Sequence, residues 1–231
     1  MGGANLKAVP VEQRVAKSKH LLTANQVNAN LTYLRIKRLI DILGSLIGII
    51  ILLPVLLVVA LLIKIEDPRG PIFFKQVRIG KNETEFHMYK FRSMVSNAEE
   101  QLKELLALND VTGAMFKMKD DPRVTKIGKI IRKTSIDELP QLWNVLKGEM
   151  SLVGPRPPLL REVKEYSPYD KQRLLVTPGC TGLWQVSGRS NVGFEDMVEL
   201  DLYYIQKKSV RLDLKIIIKT FRVLIGAKDA Y

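Results

Sequence analysis

The longest apolar run of the chain lies between Ile42 and Ile63. Its 22 residues include no charged side chain, and about 20 apolar residues in a helix are enough to cross the hydrocarbon core of a bilayer. A buried core helix is the alternative, but such a helix usually keeps a polar face, and this run has none. The pattern therefore predicts a membrane-embedded helix, to which we assign residues 31–65.

Two features of this run favour a helix that turns back over a helix that crosses the membrane. Pro54 lies near the middle, where proline removes a backbone hydrogen bond and bends a helix. Both flanks are basic, with Arg35, Lys37 and Arg38 before the run and Lys64, Arg69, Lys75 and Arg78 after it. Because Lys and Arg are retained on the cytoplasmic side, a re-entrant helix broken at Pro54 suits both flanks. Spanning helices also contain prolines, so the span remains the alternative.

The rest of the chain predicts an α+β domain with more helix than strand, preceded by a polar extension of residues 1–30. Strand-like residues 72–79 and 85–91 flank a Gly80-Lys81-Asn82 turn, which is typical of a hairpin. Helical periodicity is found in Ala98–Leu108, Val124–Arg132, Ser135–Lys147 and Phe194–Lys207. The third of these helices should end at Gly148.

A second membrane signal lies at the C-terminal end, from Leu212 to Ile225. Helical spacing brings its apolar residues to one face, namely Leu214, Ile217, Ile218, Phe221, Leu224 and Ile225. Another face carries Lys215, Lys219 and Arg222. This pattern predicts a basic amphipathic helix in the membrane interface. The alternative is a helix that packs on the core and exposes its basic face to solvent.

The charge balance points to an anionic partner. The chain has 36 Lys and Arg against 24 Asp and Glu, a net charge of +12, which favours nucleic acid, an acidic membrane face or a phosphorylated substrate. Nucleic acid is the least suitable of these, because its binding needs aromatic and basic residues interleaved on a soluble face. Sequence motifs for a P-loop, a Rossmann site, zinc or calcium are absent. Cys180 is the single cysteine, so no intrachain disulfide can form.

The candidate catalytic residues are Asp137 and Glu138. Both have a structural explanation, since Ser135 and Glu138 match a capping box and Asp137 would complement a helix dipole. A helix N-terminus with Arg132 one turn upstream also suits a phosphate group. An aspartate there is expected to stay ionised and to serve as a nucleophile. Adjacent carboxylates can hold Mg²⁺ against a diphosphate, so both residues are also candidate metal ligands.

Further basic residues are candidates for binding the substrate phosphates. Arg156 lies between Pro155 and Pro157, so its loop is stiff and its guanidinium can bind phosphate in a bidentate manner. Lys90, Arg92 and Arg123 add positive charge. The alternative for Arg156 is an ordinary rigid connector with an exposed side chain.

Taken together, these motifs closely resemble the bacterial sugar transferase family, the monotopic polyprenyl-phosphate phosphoglycosyl transferases. The resemblance covers the chain from about Tyr33 to its C-terminus. It is carried by Lys37-Arg38 with Asp41, Lys90-Phe91-Arg92-Ser93-Met94, Asp137-Glu138-Leu139-Pro140-Gln141 and Gly154-Pro155-Arg156-Pro157.

This resemblance implies a monotopic protein of the bacterial cytoplasmic membrane, with residues 66–231 as a catalytic domain on the cytoplasmic face. Asp137 would attack the sugar-linked phosphate of a UDP-sugar, form a phosphosugar-aspartyl intermediate and release UMP, with Glu138 supporting Mg²⁺. Undecaprenyl phosphate would then accept the phosphosugar. Arg132 and Arg156 match phosphate-site positions, and residues 181–189 resemble members that use glucose or galactose. A homodimer is compatible with the sequence, and nucleic acid is not expected as a partner.

The competing hypothesis is a membrane-tethered basic adaptor that binds anionic lipids or partner proteins without catalysis. It explains the positive charge and the apolar run. It assigns no purpose to Asp137 and Glu138 beside Arg132. Release of UMP from a UDP-sugar distinguishes the two hypotheses.

Overall fold

The structure, a computed structural model, describes residues 21–98, 100–101, 121–187 and 193–226. Within these ranges the α-helices are α1 (Ala24–Asn28), α2 (Leu31–Glu66), α3 (Lys126–Lys133), α4 (Gln141–Lys147), α5 (Leu160–Lys164), α6 (Phe194–Lys207) and α7 (Val210–Gly226). The strands are β1 (Phe73–Ile79), β2 (Glu85–Phe91), β3 (Ser151–Val153) and β4 (Gly179–Thr181). The predicted α+β class with a helical majority is therefore confirmed. Most of the helix predicted for residues 98–108 lies outside the described residues.

Helix α2 differs from the prediction at Pro54, because the helix continues through the proline instead of breaking there. A proline removes one backbone hydrogen bond, and the remaining bonds of a long apolar helix can carry it past that position. At 1.5 Å per residue, its 36 residues extend for about 54 Å. Among the described residues it is the helix long and apolar enough to cross a membrane.

The N-terminal end of α2 is attached to the soluble part of the fold by polar contacts. The Arg38 guanidinium donates to the carbonyl oxygens of Val145 and Leu146 at 2.6 and 2.7 Å, at the C-terminal end of α4. The last carbonyls of a helix lack the usual partner four residues on, and here the Val145 carbonyl also accepts the capping N–H of Gly148 at 3.0 Å. A cation at this end of the helix is favourable. The buried Asp41 accepts the backbone N–H of Leu152 at 2.9 Å, which holds the helix against β3.

The C-terminal end of α2 returns to the same folded unit. Val59 and Ile63 are buried in one apolar cluster with Phe91 of β2 and Ile131 of α3. The Glu66 carboxylate accepts two N–H groups in the first turn of α3, at 2.8 and 3.1 Å. Between the two attachments the helix is apolar and exposed. This middle part, with exposed side chains such as Ile50, Ile51 and Leu57, is therefore free to contact lipid.

The predicted hairpin is confirmed, with β1 and β2 antiparallel and Phe73 paired to Phe91. Asn82 adopts a positive φ of 55° in the turn, a conformation that asparagine tolerates. The parallel pair of β3 and β4 was not predicted. Each of these strands has three residues, which is too short for an alternating pattern to be recognised.

Residues 22–28 are part of the folded unit, although the sequence assigned no role to the extension of residues 1–30. Thr23 and Gln26 form a capping box at the start of α1. Val27 is buried in the largest apolar cluster together with Val198 and Leu202 of α6. The short helix thus closes one side of the core.

The predicted C-terminal helix is present as α7, but its apolar residues are divided between two environments. Ile216 is fully buried and Ile217 packs against the core, so Ile217 does not belong to the predicted lipid-facing set. Leu214, Ile218 and Phe221 are exposed. The side chains of residues 224 and 225 lie outside the described part. The placement of α7 in the membrane interface stays a prediction.

A close backbone approach between β3 and β4 leads to a test of the fold. A Cβ atom on Gly179 would lie 2.0 Å from the Gly154 nitrogen. Gly179→Ala should therefore force the strands apart and lower the free energy of unfolding by at least about 2 kcal/mol. Thermal unfolding of the detergent-solubilised protein measures this.

Gly193→Ala is the matched control, because a Cβ at Gly193 meets no atom within 4 Å. It should change stability by no more than about 1 kcal/mol. Equal unfolding temperatures for the two variants would contradict the close approach.

Candidate active site

The acidic pair lies in a sharp connection between α3 and α4. Ser135 adopts the left-handed conformation, with φ of 56° and ψ of 18°, and a 3₁₀ turn over Ile136–Glu138 follows. The predicted helix is therefore wrong over its first half and correct for α4, which ends at Gly148 as expected. Pro140 explains the difference, since a helix starting at Ser135 would contain this proline in its interior, where its ring clashes with the preceding turn.

Glu138 bonds to the hairpin and does not form the predicted capping box. Ser135 makes no capping hydrogen bond, and the Glu138 carboxylate forms an ion pair of 2.7 Å with Lys90 near the end of β2. The Glu138 side chain is 44% exposed. Desolvation raises the pKa of Glu138, but Lys90, Arg156 and Arg78 together lower it below its ordinary value. Glu138 is consequently a stable anion at neutral pH.

Asp137 has the opposite environment. It is only 9% exposed, and within the described residues no other side chain forms a hydrogen bond to it. Burial raises its pKa to about 6, and Glu138 adds to the rise, while Lys90 and Arg132 oppose it. The expectation that a helix N-terminus would keep this pKa low is therefore wrong, because burial outweighs the nearby positive charge. The carboxylate is still mostly ionised at pH 7, but it is poorly solvated.

Arg156, predicted from its proline-flanked loop, does lie in the charge cluster around Glu138. Its guanidinium is 3.5 Å from the Glu162 carboxylate, which is a loose contact that leaves donors for a ligand. The exposed Arg132 acts on Asp137 from the end of α3. Lys90, Arg132 and Arg156 thus surround the acidic pair with positive charge, which suits a diphosphate substrate.

Arg78, which the sequence indicated only as a basic flank of the apolar run, is a further member of this charge cluster. It is buried and donates to the Gln76 side chain at 2.6 Å and to the Pro157 carbonyl at 3.0 Å. Burial, followed by repulsion from Arg156, lowers its pKa to about 10. The burial of Arg78 could have been predicted from the register of the hairpin. Arg78 pairs with the buried Phe86, and paired residues share a face of the sheet.

Arg92 and Arg123 are not brought to the acidic pair by any contact of the described residues. Arg92 bonds to the Asp67 carboxylate at 2.7 Å and to the Asp67 carbonyl at 3.0 Å. Arg123 is buried in an ion pair of 2.6 Å with Asp121. These contacts favour a structural role for both, and they give no support to the predicted phosphate binding.

The described residues contain no group of three or more His, Cys, Asp or Glu side chains that could form a resident metal cage. Magnesium usually needs only one or two carboxylates, because substrate phosphates and water complete its shell. Asp137 and Glu138 are adjacent carboxylates in a phosphate-type environment. The pair therefore fits an ion that arrives with a diphosphate.

Fold and site together define a class, namely an α+β protein whose described residues include a helix of membrane-crossing length and a carboxylate pair that lies among cations. The family comparison agrees with the motifs: the chain belongs to the bacterial sugar transferase family, whose model matches residues 32–227. Similar curated proteins include the "Galactosyl transferase CpsE" of Streptococcus agalactiae, 50% identical over 201 residues, which are 85% of this chain and 44% of that protein.

Two more relatives match a similar share of the chain. The "Undecaprenyl-phosphate galactose phosphotransferase" of Salmonella typhimurium is 44% identical over 200 residues, 85% of this chain and 42% of that protein. The "Exopolysaccharide production protein ExoY" of Sinorhizobium fredii is 40% identical over 199 residues, 84% of this chain and 88% of that protein. The chain thus spans less than half the length of the first two relatives and most of the third.

The raised pKa of Asp137 leads to a prediction about stability. Between the ordinary pKa of 3.8 and about 6, the folded state binds more protons than the unfolded state, so stability falls as pH rises through this window. At pH 7.5 the ionised carboxylate costs up to about 3 kcal/mol. Asp137→Asn should therefore unfold at a higher temperature than wild type at pH 7.5 and at a similar temperature at pH 4.

Asp121→Asn is the control, for which we expect the opposite change in unfolding temperature. A hydrogen bond from Arg123 lowers the pKa of Asp121, so its ionised form stabilises the fold at neutral pH and this variant should unfold at a lower temperature. A destabilised Asp137→Asn at pH 7.5 would contradict the poorly solvated carboxylate.

Proposed function

We propose that this protein transfers a sugar-1-phosphate from a UDP-sugar to undecaprenyl phosphate and releases UMP. The reaction would be the first membrane step of exopolysaccharide, capsule or glycan synthesis. The observation that carries the proposal is the buried, poorly solvated Asp137 beside an ionised Glu138 and within a cluster of cations. Family membership and the printed names of the relatives, which include an undecaprenyl-phosphate galactose phosphotransferase, support it.

Asp137 is the proposed nucleophile. One of its carboxylate oxygens attacks the phosphorus atom that bears the sugar, and the bond from this phosphorus to the oxygen shared with the second phosphate breaks. UMP leaves with that oxygen and its electron pair, and the phosphosugar is held on Asp137. A phosphate oxygen of undecaprenyl phosphate then attacks the same phosphorus, which frees the carboxylate. Poor solvation favours Asp137 in this role, because little water has to be removed before attack.

The surrounding charges have separate roles in this proposal. Arg156 and Arg132 bind the diphosphate oxygens, and Lys90 orients Glu138 through their 2.7 Å ion pair. Arg78 holds the loop of Arg156 through the Pro157 carbonyl. Glu138, with Asp137, would hold Mg²⁺, which neutralises charge on the diphosphate and on the departing UMP.

The adaptor hypothesis has less support. It accounts for the net charge of +12 and for the exposed apolar middle of α2. A surface that only binds anionic lipids does not need a buried carboxylate with a raised pKa, which costs stability. We propose glucose or galactose as the sugar, and a panel of UDP-sugars tests that choice.

The catalytic proposal is tested by measuring UMP release from UDP-glucose and UDP-galactose, with undecaprenyl phosphate and Mg²⁺, by the full chain in nanodiscs. Asp137→Asn should lower turnover at least about 1,000-fold, since it removes the nucleophile. Asp196→Asn, on α6, is the control and should keep wild-type turnover. Removing divalent ions with EDTA should also stop UMP release. Near-normal turnover by Asp137→Asn would remove this residue from the mechanism.

We also propose that α2 is re-entrant and that the catalytic part lies on the cytoplasmic face. The support is that Arg38 and Asp41 at one end, and Val59, Ile63 and Glu66 at the other, contact the same folded unit. A helix that crossed the bilayer would carry its two ends to opposite faces. We propose that the continuous helix bends at Pro54, so that its exposed middle enters lipid while both ends return to the same face.

Cysteine labelling in intact cells tests this topology. In a Cys180→Ser background, single cysteines replace Lys19, before α2, or Glu165, after it. Both should resist a membrane-impermeant thiol reagent until the cells are opened, because both flanks stay in the cytoplasm. Labelling of the Lys19 site alone in intact cells would show that α2 spans the membrane.

A further inference from the structure

A second basic site lies at the N-terminal end of α2, apart from the acidic pair. It is a pocket of about 140 Å³. Four cations from three parts of the chain line it: Lys37 and Arg38 of α2, Lys81 of the hairpin turn, and Lys208 between α6 and α7. None of the acidic pair, Lys90, Arg132 or Arg156 lines the pocket.

Two of these cations already have partners. Arg38 is engaged by the carbonyls at the end of α4. Lys37 is 3.1 Å from Asp213, whose carboxylate also accepts the hydroxyl groups of Tyr33 and Tyr204. Asp41 lines the pocket too, but one of its oxygens already accepts two bonds from β3.

The other two cations form no ion pair with a described residue. Lys81 contacts a neutral partner, the Asn28 side-chain oxygen, at 3.2 Å. Lys208 forms no hydrogen bond or ion pair within the described residues, and its ammonium lies 5.8 Å from the centre of the Tyr33 ring. Burial, together with repulsion from Lys81 and Lys37, lowers the pKa of Lys208 to about 8, although Asp213 opposes this shift. A bound anion would stabilise partly buried cations of this kind.

Position and size restrict the chemistry of that anion. Lys37 precedes the uncharged run by five residues, about 7.5 Å along a helix, which is the depth of a headgroup layer. Sites for whole small molecules enclose roughly 300–1,000 Å³, so this pocket is too small for a nucleotide sugar. A single phosphate group fits the space and the charge.

We propose that the pocket formed by Lys37, Lys81 and Lys208 binds the phosphate of an anionic phospholipid headgroup. The bound lipid would join the start of α2, the hairpin turn and the connection between α6 and α7. This proposal does not depend on the catalytic one, because it uses none of the residues assigned to catalysis.

The test is thermal unfolding of the full chain in nonionic detergent, titrated with dihexanoyl-phosphatidylglycerol. Wild type should show a saturable rise in unfolding temperature. Lys208→Gln and Lys81→Gln should need at least tenfold more lipid for half of the effect. Lys207→Gln is the matched control, because it removes the same charge from the exposed neighbouring residue outside the pocket, and it should behave like wild type.

Two further measurements separate the pocket from general effects. Without lipid, Lys208→Gln should unfold no earlier than wild type, since it removes a partly buried charge whose surroundings lower its pKa. Dihexanoyl-phosphatidylcholine, with the same chains and no net charge, should give no saturable rise.

Three outcomes would overturn the proposal. These are an unchanged lipid response in Lys208→Gln, an equally weakened response in Lys207→Gln, or a destabilised Lys208→Gln in the absence of lipid. If inorganic phosphate alone reproduces the saturable rise at the same concentration, the site is one for free phosphate, and the assignment to lipid is wrong.

Discussion

The attachment of both ends of α2 to one folded unit is the constraint on which the rest of the structure depends. Arg38 holds the C-terminal end of α4, and Glu66 holds the N-terminal end of α3. The acidic pair lies in the connection between these two helices. The apolar helix therefore contacts both of the helices that flank the acidic pair, each at the end away from the connecting turn.

The neighbouring carboxylates of Asp137 and Glu138 have different properties in this fold. Asp137 is buried and has a raised pKa, whereas Glu138 is more exposed, pairs with Lys90 and has a lowered pKa. Such a separation of pKa values is a physical basis for distinct roles in one site. It fits a proposal in which the poorly solvated residue attacks phosphorus and the stable anion supports a metal ion.

The positive charge of the chain also serves distinct purposes. Arg92 and Arg123 are satisfied by Asp67 and Asp121, so they stabilise the fold. Arg78 fixes a loop, and Arg156 is left with only a loose partner beside the acidic pair. Lys208, with no anionic partner among the described residues, belongs to a different surface at the start of α2. The net charge alone does not distinguish these cases, because each depends on which anion lies nearby in space.

The sequence by itself determined the features that depend on local periodicity and residue chemistry. The apolar run of α2, the hairpin, the helix Phe194–Lys207 and the end of α4 at Gly148 follow from patterns within one segment. The motifs around Asp137 and Arg156 also identified the family. The tertiary structure decided the rest, because it depends on contacts between distant segments. It paired Lys90 with Glu138 across 48 positions, buried Asp137 enough to raise its pKa, and gave Arg92 and Arg123 other partners. It also brought together the three-residue strands β3 and β4, which are too short to be recognised without each other.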